Sequence, residues 1–320
     1  MKTLLTERFG LEYPVIQAPM AFAAGGALAA AASRGGALGM IGGGYGDPEW
    51  IRTQYDLAGD ARVGCGFITW RLSQQPWLLD EILERKPVAV FLSFGDPAPY
   101  AEKILNNDTA LVCQVQTLKD ARRAVEVGAD VIVAQGAEAG GHGEIRGAMA
   151  LVPEISDEIA RLDSNALLVA AGGISDGRGL AAARVLGAEG IVMGTRYWAS
   201  REALVLPKIH QAAIAATGDE TVRTRILDMV RGFEWPERYT ARAHFNDFLR
   251  QWHGREDVFQ NGLEQQREAW EKTQKSGDPA NSAIFVGEGL GLIAEIISAE
   301  DIARIVSVQA SDILAGKDAG

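Results

Sequence analysis

The chain has 320 residues, 47% of them apolar and 23% charged, with a formal net charge of −11 and 37 glycines where average usage of about 7% would give roughly 22. That much apolar sequence excludes a disordered chain, and glycine does not recur at every third position as collagen demands. The acidic balance argues against nucleic acid or an anionic membrane as partner, since either favours a basic stripe.

In chain order, the first twenty residues are interrupted by Lys2, Glu7, Arg8 and Glu12 and do not read as a signal peptide. No uncharged run reaches the roughly 18 residues of a membrane span, so the expected location is the cytoplasm. Short apolar runs bounded by Gly, Pro or Asp then predict eight strands, at 14–18, 37–41, 63–68, 88–92, 110–115, 131–134, 166–170 and 191–193. Each is apolar almost throughout, as in parallel strands buried on both faces. Helical spacing separates them, most clearly at 117–127. There Thr117 is placed as N-cap, Leu118, Ala121, Ala124 and Val125 share a face, and Gly128 closes the helix. Residues 175–186 repeat the plan with Gly187. Eight tandem strand-helix units predict an α/β fold, a (β/α)₈ TIM barrel, in preference to an open doubly wound sheet.

After Thr195 the rhythm stops. Residues 200–275 carry few glycines, no clear strand and Trp235, Trp252 and Trp270, which predicts a helical insertion over 200–282 set into a barrel formed by 1–199 and 283–320. A polar surface helix is expected at 263–275, ended by Ser276-Gly277-Asp278-Pro279. A closing helix or pair of helices is expected over 293–297 and 302–306.

Twenty-two of the glycines fall in three clusters, between Gly25 and Gly46, Gly128 and Gly147, and Gly172 and Gly194. In a barrel of this kind the site lies at the C-terminal ends of the strands, with a phosphate commonly held after strands seven and eight. Those loops are Gly172-Gly173 and Gly194-Thr195, followed by helix starts near Ser175 and Arg196, with Thr195 as a hydroxyl donor. Strand six ends in Gln135-Gly136-Ala137-Glu138-Ala139-Gly140-Gly141-His142. A histidine in a glycine-rich loop there can act as acid or base, Gln135 can read a heterocycle edge, and Glu138 or Glu144 is placed to orient the imidazole. His210, His244 and His253 read as surface or packing residues. The first glycine cluster lacks the dinucleotide-binding spacing and suggests backbone laid against a flat ligand. Cys65 and Cys113 read as small core residues, and no metal-ligand spacing is present.

At these residues the sequence resembles the nitronate monooxygenase family, FMN-dependent oxidoreductases on a TIM barrel. Four blocks carry the likeness: Pro14-Val15-Ile16-Gln17-Ala18-Pro19-Met20; Ala134 to His142; the pair Ala170-Ala171-Gly172-Gly173-Ile174 and Val192-Met193-Gly194-Thr195; and Arg223-Thr224 through Trp235-Pro236 to Asn246. The resemblance implies His142 as catalytic base. It implies flavin contacts at Ala18, Pro19, Met20, Gln135, Gly140, Gly141, Gly172, Gly173, Val192, Met193, Gly194 and Thr195. Gly66 stands where many members carry a flavin-touching Asn, a departure from the pattern. Met20, Phe22 and Trp70 are the expected substrate wall. The implied reaction takes a nitronate or nitroalkane and O2 to a carbonyl compound and nitrite. An FMN-dependent NAD(P)H reductase, of the enoyl-[acyl carrier protein] or quinone type, shares the same glycine-rich blocks, and a non-catalytic phosphate-ligand binder is the alternative outside enzymes.

Overall fold

The computed structural model describes residues 1–317. Its strands are β1 (Val15–Gln17), β2 (Gly39–Gly44), β3 (Val63–Ile68), β4 (Ala89–Ser93), β5 (Ala110–Val115), β6 (Val131–Gln135), β7 (Gly141–Gly143), β8 (Leu167–Ala171), β9 (Gly190–Met193), β10 (Thr221–Thr224) and β11 (Thr240–His244). Eight of them form one parallel sheet in the order β1-β9-β8-β6-β5-β4-β3-β2. The ring closes between its end strands: Gln17 N–H donates to the Leu38 carbonyl and Leu38 N–H to that of Val15, each at 2.9 Å. This is the expected TIM barrel, and each of the eight predicted runs overlaps one of its strands.

Side-chain parity divides the strands between two cores. Ile16, Met40, Phe91, Val112, Val133, Val169 and Val192 point inward, and Leu5 and Phe9 of the N-terminal helix Leu4–Phe9 pack with them. Val15, Ile41, Cys65, Val90, Cys113, Ile132, Ala170 and Met193 point outward into the helical layer. Both cysteines are buried and free, and burial pushes each thiol up to about 12, so they are inert core residues.

The local signals explain most helix ends. Thr117 caps Leu118–Glu126 by accepting from Asp120 N–H at 3.1 Å. The helix Gly177–Val185 is capped by Asp176, not by Ser175 as its sequence suggested. Leu263–Ser276 is the expected polar helix, ended by Gly277 at φ 61°. No helix forms at 293–297; one closing helix, Ala299–Leu314, packs on Gly177–Val185 and Gly26–Arg34.

The insertion differs from expectation. Besides helices, the stretch 200–282 contains β10 and β11, which pair antiparallel, and β7 joins β11 as third strand with His142 opposite Ala241. Alternation in the Thr-Ala-Arg-Ala-His of β11 is the half-buried strand pattern, and the Thr-Val-Arg-Thr of β10 is short enough to pass for coil. No helix among the described residues is long and apolar enough to cross a membrane.

The first glycine cluster serves packing more than ligand contact. A Cβ on Gly26 would lie 1.8 Å from the Gln54 carbonyl oxygen, on Gly39 1.8 Å from that of Ala29, and on Gly42 2.2 Å from that of Met20. These glycines let the helices Gly26–Arg34 and Pro48–Ala58 and the strand β2 approach backbone to backbone. Of the cluster only Gly44 lines the large cavity described below. Gly26→Ala is expected to destabilise the fold by about 2 kcal/mol through overpacking. Gly262→Ala, where a Cβ meets nothing within 4 Å, should change stability by less than ~0.5 kcal/mol. Chemical denaturation of the two variants checks this; equal midpoints would remove the packing explanation.

Candidate functional site

A cavity of about 630 Å³ opens at the C-terminal ends of the barrel strands and extends beneath the insertion. Its size suits a cofactor or small substrate. Ala18, Pro19, Met20, Gly66, Gln135, Gly140, Gly141, Gly172, Gly173, Val192, Gly194 and Thr195 all line it, as do Phe22 and His142. Met193 does not. It is the outward member of β9, fully buried under the helices, while its neighbours Val192 and Gly194 reach the cavity. Trp70 does not either: it stands edge-on behind Trp235, ring centroids 5.4 Å apart.

Gly66 carries no side chain for a steric reason, because a Cβ there would lie 2.3 Å from the Pro19 ring. Pro19 occupies the space that a side chain at position 66 would need.

One end of the cavity is built from backbone and hydroxyls. Gly172 and Gly173 turn with φ of 108° and 70°, a left-handed course that side chains disfavour. The Thr195 hydroxyl accepts from Gly287 N–H at 2.9 Å, which leaves its own hydrogen to donate. Ser175 lies beside them on the wall. Arg196 is not part of this end: its guanidinium donates to the carbonyls of Ala199 and Glu295 at 2.8 Å, and its helix is a single turn, Thr195–Trp198.

His142 lies towards the insertion. It was expected in a flexible loop and is instead the central residue of β7, fixed by pairing to β11. Gly141, with φ of 74° and open space around its missing Cβ, supplies the turn into that strand, whereas a Cβ on Gly140 would meet the Val286 backbone at 2.5 Å. Arg223 and Arg242 tie the preceding loop by donating to the Ala137 carbonyl at 3.2 and 3.0 Å, and Arg223 also reaches the carbonyl of Gly143. The Gln135 amide oxygen accepts from Gln116 at 2.7 Å and Gln114 at 3.1 Å, while its NH₂ donates to the His142 carbonyl. Its main geometric task is therefore to hold β7 to the barrel, with one N–H left over.

The imidazole is oriented by Asp228. Nε2 lies 2.9 and 3.0 Å from the two carboxylate oxygens, with both side chains under a tenth exposed. The carboxylate only accepts, so Nε2 carries the hydrogen and Nδ1 keeps the basic lone pair. The two carboxylates named from sequence act elsewhere: Glu138 accepts from Ala148 N–H at the start of the helix Ala148–Arg161, and Glu144 pairs with Arg238. Burial lowers the His142 pKa, Asp228 partly offsets this, and the positive charges of Arg231 and Arg223 add to the lowering. The ring is neutral at pH 7.

Aromatic rings complete this end. Trp235 stacks on His142 with centroids 3.4 Å apart and planes 7° from parallel, and its Nε1–H donates to the Tyr45 hydroxyl at 3.1 Å. Tyr45 stacks on Phe233 at 4.0 Å and on Phe22 at 5.7 Å. Asp228, Trp235, Tyr45, Phe233 and Arg231 were not singled out as site residues from sequence. Asp228 and Arg231 stand three apart on the helix Ile226–Arg231, a spacing that places them on one face, but nothing local says that this face meets His142. The other histidines pack: His210 bonds the Trp198 carbonyl at 2.8 Å, and His244 that of Glu220.

Comparison with known proteins finds relatives over most of the chain. The family model described as nitronate monooxygenase matches residues 2–58 and 69–307. The chain is 35% identical to the nitronate monooxygenase npaC of Metarhizium robertsii over 94% of its own length and 91% of the relative's. It is 32% identical to a nitronate monooxygenase of Neurospora crassa, covering 93% and 89%. The solved structure of FabK from Thermotoga maritima superposes with a TM-score of 0.83 at 30% identity, covering 99% of this chain and 98% of that one.

The geometry gives a direct expectation. Asp228→Asn removes the one carboxylate that raises the His142 pKa, so an NMR titration of the imidazole should show it falling further below 6.5 than in the parent protein. A rise, or no change, would show that Asp228 does not face the ring in solution.

Proposed function

Since the chain belongs to the nitronate monooxygenase family, we propose that it is an FMN-dependent oxidoreductase that uses O2 to convert alkyl nitronates to carbonyl compounds and nitrite, with His142 as base when the substrate is a neutral nitroalkane. The observation that carries this reading is that one cavity joins a glycine and hydroxyl cradle to a buried, carboxylate-oriented imidazole under an aromatic wall.

The cradle suits a flavin phosphate. Gly194 leaves open the space an anion would fill, since a Cβ there would have its nearest neighbours 3.8 and 3.9 Å away, whereas Gly172 and Gly173 let the turn pack on the loop after β6, where a Cβ would meet the Gly136 carbonyl oxygen at 3.0 Å and the Glu138 side chain at 3.2 Å. Thr195 and Ser175 offer hydroxyl donors there, and the Ala18-Pro19-Met20 segment with Val192 would lie against the flat ring system. Bound FMN supplies single-electron transfer and the reduction of dioxygen, chemistry that no side chain offers.

The protein's own part begins with the proton. His142, neutral at pH 7 and fixed by Asp228, can take the α-proton of a nitroalkane on Nδ1, and Asp228 then stabilises the imidazolium. A nitronate arrives already deprotonated and needs His142 only as a hydrogen-bonding partner. Trp235 and Phe233 narrow the apolar side of the cavity and limit water near the reacting carbon.

Anaerobic protein that is yellow as purified should bleach with propionate 3-nitronate. Bleaching with NADH and not with the nitronate would assign the reductase reading instead. His142→Ala should lower kcat/KM for nitroethane by about 10²- to 10⁴-fold and affect ethyl nitronate far less; equal losses on both would remove the base assignment. With nitroethane the rate should be full at pH 7 and fall as pH drops through the lowered His142 pKa, below 6.5. Gly173→Val, forced to φ of 70°, should reduce the flavin content of the purified protein.

A further inference from the structure

We propose that Arg231 is the anion-binding residue of this site: its guanidinium holds the negatively charged nitronate head, and the charge that develops there when a nitroalkane is deprotonated. The inference rests on the nitronate reading of the preceding subsection and names a residue that reading does not use.

Arg231 lines the cavity and is partly buried. Its guanidinium lies over four aromatic rings, Phe233 at 4.7 Å, Phe285 at 5.1 Å, Tyr45 at 5.6 Å and Phe22 at 5.9 Å. Among the described residues no carboxylate comes within ion-pair distance of it, in contrast to Arg238, which pairs with Asp120 and Glu144, and Arg242, which pairs with Glu288. A permanent cation is thus kept in an apolar, aromatic wall without a neutralising partner. Ring faces attract it but cannot neutralise its charge.

Position ties that charge to the reaction. Asp228 and Arg231 are three residues apart on one short helix, so the element that gives His142 its carboxylate also carries the cation. Phe285, under the guanidinium, is 6.1 Å from the His142 ring, and the cation is near enough to depress the proton affinity of that imidazole. Proton abstraction moves one positive charge onto His142 and leaves one negative charge on the nitro group. Asp228 faces the first and Arg231 is available to the second. The planar, doubly oxygenated nitronate matches the fork of N–H donors on a guanidinium, as a carboxylate does. Donors fixed where charge develops act on the transition state rather than on the neutral substrate.

The test compares Arg231→Gln and Arg231→Lys with the parent protein. For ethyl nitronate, which has no other charge, Arg231→Gln should lower kcat/KM by about 100-fold, mainly through KM, because the anion is present before reaction. For nitroethane the loss should fall mainly on kcat. Titration calorimetry should show nitrite, the anionic product, binding at least ten times more weakly to Arg231→Gln, with Arg231→Lys recovering part of every loss. Unchanged KM for ethyl nitronate and unchanged nitrite affinity in Arg231→Gln would overturn the proposal. So would a loss confined to propionate 3-nitronate, which would place its distal carboxylate on the arginine, or a loss that Arg231→Lys fails to recover while both variants melt with the parent. If the parent turns over no nitronate yet binds nitrite through Arg231, the proposed activity fails and the anion site stands.

Discussion

The buried contact between His142 and Asp228 is the constraint on which the arrangement of the site depends. Taking a carboxylate out of water costs several kcal/mol, and the cost is met only if its partner is held in good geometry. Both side chains are under a tenth exposed, so the contact must be built accurately or not at all. His142 comes from the barrel side of the chain and Asp228 from the insertion, 86 residues later. The pairing of β7 with β11, the reach of Arg223 and Arg242 to the Ala137 carbonyl, and the Gln135 amide on the His142 carbonyl all fix the relative position of these two parts. Removing either member would leave a buried charge or an unpaired donor, a change typically costing about 3–5 kcal/mol.

The same join explains the unequal character of the cavity's two ends. At the loops after β8 and β9 the wall includes Gly172, Gly173, Ser175, Gly194 and Thr195, small residues that leave room. Where the insertion covers the barrel, the residues are Trp235, Phe233 and Arg231, joined by Phe285 just after the insertion, which fill space and exclude water. In the proposed reaction the barrel end would hold the flavin, and the insertion would set what approaches it.

Much of the barrel was legible in the sequence because parallel strands buried on both faces announce themselves as uninterrupted apolar runs, and because the ends of those runs mark the cavity rim. Met193 shows the limit of that reading: membership of a loop motif does not fix parity, and one step along β9 turns a side chain from the cavity into the helical layer. Trp70 shows a second limit, since a large apolar residue at the right strand end can lie behind another ring. The glycine clusters were visible as composition, but their reasons were not. Gly26, Gly39 and Gly42 answer to backbone carbonyls far away in sequence, a requirement no local window contains. Asp228 was hidden for the same reason: the carboxylates near His142 in sequence, Glu138 and Glu144, are engaged by Ala148 N–H and Arg238, and the one near it in space arrives through a strand pairing of an insertion read as helical.

Burial, stacking and charge at His142 act together on pH as well as on geometry. Its pKa in the folded protein is lowered beneath the ordinary 6.5, first by burial. The unfolded chain therefore binds a proton more readily than the native one in the window just below 6.5, so the stabilising contribution of the neutral ring is full above that value and is lost as pH falls through the lowered pKa. In the proposed reaction the imidazole must be unprotonated to take a proton, which requires the same side of the same window. Burial of the ring and Arg231 beside it favour the neutral state, while Asp228 keeps the transiently charged one accessible. Fold and proposed catalysis thus share one requirement, a histidine buried deeply enough to stay neutral and paired closely enough to be charged for the duration of a proton transfer.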